Sequence, residues 1–186
     1  AAFKTDKSGA MWTYMPNGPF DQRADFDRFL DEAETSTDPL FYAIINKSTD
    51  RAEGFASYLR IKPAVGVIEV GFIAMSPLLQ KTRVATEAMF LMMSHVFDDL
   101  GYRRYEWKCD NLNGPSKTAA RRLGFTYDGL FPQATIYKGR NRDTAWFSIL
   151  DRDWPQVKAG FQTWLEPGNF DADGTQRTAL VTRPAS

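Results

Sequence analysis

Histidine and cysteine are nearly absent: the 186-residue chain has one of each, His95 and Cys109. A single cysteine forms no internal disulfide, so a disulfide scaffold is excluded and a reducing compartment is compatible. A single histidine leaves a Ser-His-Asp triad only His95, and a His-based zinc site lacks its partners. No metal is expected. An excess of either charge is missing too, since 23 Lys+Arg balance 23 Asp+Glu. That argues against a general nucleic-acid binder, which carries a basic excess or stripe. No segment approaches a membrane span, and the opening AAFKTDKSGA has no apolar run of signal-peptide length. The expectation is a cytoplasmic chain with no membrane partner. Hydrophobic residues at 43% and charged residues at 25% describe an ordinary globular chain.

The densest information lies in VIEVGFIAMSPLLQKTRVAT, Val67 to Thr86. It reads as a strand Val67 to Met75, a turn at Ser76-Pro77, a basic-polar loop Gln80-Lys81-Thr82-Arg83, and a helix starting near Thr86-Glu87. Thr86 is the expected N-cap. A loop feeding a helix N-terminus offers free N–H groups and the positive end of the helix dipole, which suits a phosphate. Lys81 and Arg83 add positive charge.

Hydrophobic periodicity places the other elements. The opening residues read as a partial helix, and Asp21 to Ala33 is a helix with Phe26, Phe29, Leu30 and Ala33 on one face. Strands follow at Leu40 to Ile45 and Gly54 to Ile61, the latter an antiparallel neighbour of Val67 to Met75. The helix after the basic loop buries Met89, Met92, Met93, Val96, Phe97 and Leu100 and ends at Gly101. Arg104 to Cys109 is a strand, and Asn113 to Ser116 turns the chain into a helix ending at Gly124. Two more strands, Phe131 to Tyr137 and Thr144 to Leu150, flank a polar loop Lys138 to Asp143. A last helix opens at Pro155 and stops at Pro167-Gly168. The expected division is one domain over 1–166 and a loose polar tail over 167–186. Alternating helices and strands with hairpins imply an α/β (α+β) mixed sheet with helices on both faces.

Several pieces carry a resemblance: Glu69-Val70-Gly71-Phe72, Pro77, Gln80, Ala85-Thr86-Glu87-Ala88, Asn113-Gly114-Pro115-Ser116, and Leu123-Gly124-Phe125 with Asp128-Gly129 following. In this order they resemble the GNAT acetyltransferases over roughly Leu40 to Leu150, and within them the ribosomal-protein alanine acetyltransferase (RimJ/RimL-like) branch. The resemblance implies the GNAT fold: a mixed, mostly antiparallel sheet with a splayed parallel pair, here Val67–Met75 and Arg104–Cys109. It implies acetyl-CoA as co-substrate, with no metal. Backbone groups of Ile73, Ala74 and Met75 would take the pantetheine amides. The loop Gln80, Lys81, Thr82, Arg83, Val84, Ala85 and Thr86 would cradle the pyrophosphate. Asn113 would bond the pantetheine arm or fix the strand–helix turn. The acceptor would be a primary amine, on a small molecule or a protein N-terminus.

Two positions depart from the family pattern. Arg83 stands where the family has a central glycine, and its guanidinium could fold over the pyrophosphate instead. Where many members carry a tyrosine acid, this chain has Ala120; the ribosomal branch can use a serine, here Ser116. The same two departures leave a non-catalytic CoA-binding or sensor module as the rival to an N-acetyltransferase. The resemblance also implies a strand ahead of the first helix, expected here to be either truncated or absent; an exposed edge would then favour pairing with another chain, as in a homodimer.

Direct acetyl transfer in a ternary complex needs a base for the amine. Glu69, on the strand beside the proposed cleft, is the first choice and Glu106 the second. Glu69 also reads as a solvated strand residue paired with a lysine or arginine. A backbone N–H near Ile73 to Met75 would meet the oxyanion. Cys109 reads as a buried, inert thiol and His95 as a structural or surface residue. Trp12, Tyr14 and Phe20 are expected to line the acceptor side, and Lys138, Arg140 and Arg142 to form a solvated basic hairpin tip.

Overall fold

The computed structural model describes residues 6–183. The chain runs α1 (Arg23–Thr35), β1 (Leu40–Asn46), β2 (Arg51–Lys62), β3 (Val67–Met75), α2 (Arg83–Ser94), β4 (Arg104–Asp110), α3 (Gly114–Arg122), β5 (Thr126–Tyr137), β6 (Arg140–Leu150) and α4 (Trp154–Leu165). The strands form one sheet in the order β1-β2-β3-β4-β6-β5. Every pairing is antiparallel except β3 with β4, which is parallel. Among the described residues no helix is long and apolar enough to cross a membrane.

Two cores form on opposite sides of the sheet. On one side Ile68, Val70, Tyr105, Trp107, Phe147 and Ile149 meet the buried faces of α2, α3 and α4. Phe97 stacks on Trp154 with ring centres 5.1 Å apart, and Phe90 stacks on Phe161 at the same distance. On the other side Phe26 and Phe29 of α1 pack with Trp12, Phe55 and Ala74. The methionine stripe of α2 is core, with Met89 and Met93 almost fully buried. Leu100, expected on that stripe, is 43% exposed. A π-helical turn over His95–Asp99 inserts into the helical period and rotates Leu100 away from the core. Leu30 of α1 is likewise 39% exposed.

Four boundaries depart from the sequence expectation. The second long helix begins at Arg83, with Thr82 as its N-cap, and not near Thr86. The last two strands are longer than expected and close in a tight turn at Lys138 and Gly139, both at positive φ; such a turn matches the twist of a two-residue hairpin. Residues 1–5 of the expected opening helix lie outside the described residues, and Ala10–Trp12 forms one 3-10 turn. Finally, the tail is packed rather than loose. Phe170 bridges to Gln176, Thr182 is buried, and an added Cβ on Gly160 would collide with the Val181 carbonyl.

β3 is not a uniform strand. Phe55 pairs with Ala74 and Ser57 with Gly71, so β3 spends one residue more than β2 over that stretch. Phe72 sits at the break with φ 47°, a costly conformation for a bulky residue. The bulge inverts the facing pattern: Ile68, Val70, Ile73 and Met75 join the α2 side, while Phe72 and Ala74 join the α1 side.

Candidate active site

Strand β3 pairs with β4 only from Val67↔Arg104 to Val70↔Trp107. Beyond that point both continue without pairing to each other, β3 to Met75 and β4 to Asp110. The bulge at Phe72 bends β3 at the place where the pair parts. The result is a splay whose β3 wall carries an unpaired edge over Gly71–Met75. Ile73, Ala74 and Met75 therefore offer backbone only: Ala74 is buried and the other two pack on the main core. The Met75 carbonyl is already taken, accepting from Gln80 Nε2 at 2.9 Å.

The loop after β3 leads into the N-terminus of α2. Thr82 Oγ1 accepts the Ala85 N–H at 3.1 Å, and the Thr82 carbonyl accepts the Thr86 N–H at 3.3 Å. The Gln80 and Thr82 N–H groups bond back to Ser76 and Leu79. Among the described residues, the N–H groups of Lys81, Arg83 and Val84 have no acceptor. Lys81 has φ 63°, so its N–H points differently from that of a helical residue. No acidic residue lies in the first turn of α2. Three free donors at a positive helix end, with no competing carboxylate, fit a pyrophosphate.

Other residues proposed for that loop play different parts. Thr86 is buried in the second turn, where its hydroxyl donates to the Thr82 carbonyl and accepts from Arg122 at 3.1 Å. It neither caps the helix nor keeps a free polar group. The Arg83 guanidinium turns away from the loop, donating to the Leu165 carbonyl at 2.7 Å and lying 4.6 Å from the Phe170 ring centre. Its side chain fastens α4 and the tail; its backbone N–H stays in the cradle. Val84 and Ala85 pack with Ile44 and Leu79.

Below the splay, Glu69 and Glu106 are register partners across β3 and β4. They point to the sheet face opposite α2. Both are buried, and Lys108 lies between them, donating to Glu69 at 2.7 Å and to Glu106 at 2.8 Å. Arg60 approaches Glu69 at 3.4 Å, and Arg104 donates to Glu106 at 2.8 Å. Burial pushes the Glu69 carboxyl up, and the opposing charges of Lys108 and Arg60 do not fully bring it back. Burial acts the same way on Glu106, but there the bonds from Arg104 and Lys108 outweigh it and the carboxyl titrates below its ordinary range. Glu69 is thus paired, as the structural alternative held, yet buried and tuned upward. It lines a cleft of about 530 Å³ with Arg60, Lys108, Phe131, Arg142 and Trp146. Lys108 also lies 3.8 Å from the Trp146 ring centre.

At the start of α3, Asn113 Oδ1 accepts the Ser116 N–H at 3.0 Å, so Asn113 fixes the strand–helix turn. Ser116 Oγ accepts the Trp107 indole N–H at 3.0 Å, and its hydroxyl also faces the Cys109 thiol. Ala120 is fully buried and offers no acid. Cys109 is buried; its thiol is pushed up by burial, with Ser116, Arg142 and Lys117 acting in the other direction. It is an inert thiol. His95 sits in an exposed pair with Asp99 at 2.8 Å, on the π turn.

On the N-terminal side, the expectation for Trp12 fails. Trp12 is 2% exposed and belongs to the α1 core, packed against the rings of Phe20, Phe26 and Phe55. Only Tyr14 reaches across, donating to the Leu112 carbonyl at 3.1 Å. The hairpin tip is solvated as expected, with Lys138, Gly139 and Arg140 exposed, but it also has a structural part. Lys138 donates to the Trp12 carbonyl at 2.8 Å and Arg140 to the Thr13 carbonyl at 3.3 Å, so the tip holds the N-terminal loop.

Sequence reasoning missed Lys108, Arg60 and Trp146. The signal was present in β4, where Arg104, Glu106 and Lys108 alternate with Tyr105, Trp107 and Cys109. A strand with aromatics on one face and three charges on the other has a polar site to face.

Residues 1–126 match the family described as "Acetyltransferase (GNAT) domain". The chain belongs to the GNAT acetyltransferase family. It is an acyltransferase by that membership. A solved GCN5-related N-acetyltransferase from Brucella melitensis is 48% identical, with TM-score 0.93, and the match covers 96% of this chain and 82% of that one. An uncharacterized N-acetyltransferase, p20 of Bacillus licheniformis, is 28% identical over 76% of this chain and 80% of its own length. The fold is shared with a spermidine N-acetyltransferase of Vibrio cholerae, solved with CoA and spermine, at 13% identity and TM-score 0.64 over 81% of this chain and 88% of that one. The GNAT sheet, mixed and mostly antiparallel with its splayed parallel pair, is as the sequence implied.

Proposed function

We propose that this protein moves an acetyl group from acetyl-CoA directly to a primary amine seated beside Glu69. Support comes chiefly from one coincidence. The β3/β4 pair parts just after Val70–Trp107, so a carboxylate tuned upward and a cradle of free N–H groups lie at opposite ends of one splay. Acetyl-CoA would supply the activated acetyl group. The N–H groups of Lys81, Arg83 and Val84 hold its pyrophosphate, and the open edge over Gly71–Met75 orients the pantetheine arm. Glu69 accepts the amine proton, its basicity raised by burial. Ser116 donates a hydrogen bond to the departing thiolate, and the proton released by the amine returns to that thiolate through solvent. The family resemblance carried by Asn113–Ser116 and Leu123–Gly124–Phe125 favours the RimJ/RimL-like branch.

Free thiol release from acetyl-CoA across a panel of primary amines, read with calorimetric binding of acetyl-CoA, tests this. Thiol release that depends on both an amine and Glu69 is expected. Binding without release for any amine would leave a CoA-holding protein, and no heat at millimolar ligand would overturn both readings.

A further inference from the structure

We propose that the acceptor is a small amino acid with an apolar or aromatic side chain, whose carboxylate is held by Arg142 while its amine faces Glu69. The proposal rests on reading the cleft as the amine site. The cleft lining contains three cations, Arg60, Lys108 and Arg142. Two are already committed: Lys108 to Glu69 and Glu106, and Arg60 to Glu69. Arg142 differs. Among the described residues its guanidinium meets no carboxylate and donates no hydrogen bond; its one neighbour of note is the Tyr137 ring, 5.8 Å away. Its Nε is buried with no partner. A buried donor without an acceptor is costly, and buried polar groups in folded proteins are almost always satisfied. A guanidinium fork matches a carboxylate in two parallel bonds, which would satisfy Nε at once.

The rest of the cleft suits the remaining parts of such a molecule. Trp146 and Phe131 stack with ring centres 4.6 Å apart and present an apolar wall. Phe131 is 49% exposed and Leu130 40%, although both line the cleft. A volume near 530 Å³ admits a small molecule with room for the acetyl-bearing end of the donor. Opposite charges at the two sites, Glu69 for the ammonium and Arg142 for the carboxylate, fix the direction in which a zwitterion enters. A simple alkylamine would occupy only one of the two.

The test pairs each acid with its decarboxylated amine: phenylalanine with 2-phenylethylamine, and leucine with isoamylamine. Thiol release from acetyl-CoA is measured with the unaltered protein and with Arg142→Gln, and calorimetry follows phenylalanine binding to the protein holding CoA. The acids are expected to have KM values at least tenfold below their amines. Arg142→Gln should erase that advantage while leaving the amines unchanged, and Arg142→Lys should restore only part of it. Thermal melting of both variants confirms folding. Acids no better than amines would overturn the proposal. So would an Arg142→Gln that slows every amine alike, since the guanidinium would then act on the thioester end. If no amine releases thiol but phenylalanine binding still depends on Arg142, the transfer reading fails and only the carboxylate site remains; if amines release thiol but phenylalanine neither binds nor outperforms its amine, this proposal alone fails.

Discussion

The Lys108 ammonium lies 2.7 Å from the Glu69 carboxylate on the sheet face opposite α2, yet Glu69 still titrates above its ordinary range. Burial is the main cause, and sharing of Lys108 explains why it is not offset. Lys108 also serves Glu106, which has Arg104 as a second close donor. Among the described residues, Glu69 has besides it Arg60 at 3.4 Å. One carboxylate is therefore stabilised as the anion and the other is left more basic, an assignment of roles by environment.

Replacement of Glu69 by Gln should lower kcat/KM by about 100-fold or more, the usual range for loss of a general base. The unaltered protein should gain rate with rising pH along an acid limb lying above the ordinary carboxylate range. Rate–pH profiles of both proteins check this. A Glu69→Gln variant with the same limb and near-normal rate would assign the base elsewhere.

The two glutamates should have opposite pH signatures in stability. Glu69 binds its proton more tightly folded than unfolded, so its contribution is full below the unfolded carboxylate pKa, about 4.3, and is lost as pH rises through the raised folded value. Glu106 binds its proton less tightly when folded, so its contribution is present above that range and is lost as pH falls through the lowered folded value. Relative to the unaltered protein, Glu69→Gln should gain stability from pH 4 to pH 7, and Glu106→Gln should lose it. Denaturant melts at the two pH values decide it; the same sign for both would contradict the division of roles.

Ser116→Ala should cut kcat by about tenfold or more, the scale of one hydrogen bond to the departing thiolate, with little change in KM for acetyl-CoA. It also leaves the Trp107 indole N–H without its acceptor, which costs about 1–3 kcal/mol of stability. Trp107→Phe separates the two effects, because it removes the donor and leaves the hydroxyl in place. If Ser116→Ala melts early but turns over normally, the serine is only an acceptor for Trp107.

Thr82 caps α2 beside the three free N–H groups, and this allows capping and ligand binding to be told apart. Thr82→Ala should destabilise the fold by about 1 kcal/mol. Thr82→Asp keeps a good cap and adds favourable charge at the helix start, so stability should hold or rise. The same negative charge repels a pyrophosphate, and acetyl-CoA affinity should fall by tenfold or more. Calorimetry beside a denaturant melt reads both. Affinity unchanged in Thr82→Asp would remove the pyrophosphate from this loop.

The elements with strong periodicity were legible in the sequence. Phe26, Phe29 and Ala33 of α1, and the methionine stripe of α2, were read from spacing alone and are buried. What escaped was decided by contacts distant in sequence. Thr82 could not be preferred over Thr86 as cap, because both are threonines before an apolar run; Arg122, 36 residues on from Thr86, takes the second one inward. The bulge at Phe72 was hidden for the same reason: every residue from Val67 to Met75 suits a plain strand, and only Gly71 hints at a break. Trp12 was misplaced because an aromatic loop looks alike whether it faces a ligand or the rings of Phe20, Phe26 and Phe55. Lys108 was overlooked because its partners lie on two strands, and a strand's polar face gains meaning only when its neighbours are known.

Arg83 is the residue where sequence and structure pull furthest apart. In the glycine position of the family loop, an arginine suggested a guanidinium over the pyrophosphate. Its side chain instead holds the Leu165 carbonyl at the end of α4 and covers Phe170. Phe170 in turn packs on Trp164, with ring centres 5.0 Å apart, and bridges to Gln176. Arg83→Ala should therefore leave acetyl-CoA affinity within about threefold, since an exposed cation–ring contact of this kind is worth about 0.5–1 kcal/mol and lies away from the cradle. It should raise hydrogen exchange over 166–178 while α2 stays protected. Calorimetry and exchange on one preparation give both readings. A large loss of affinity with no change in exchange would return the guanidinium to the ligand, and would mean that it swings from Leu165 to the pyrophosphate on binding.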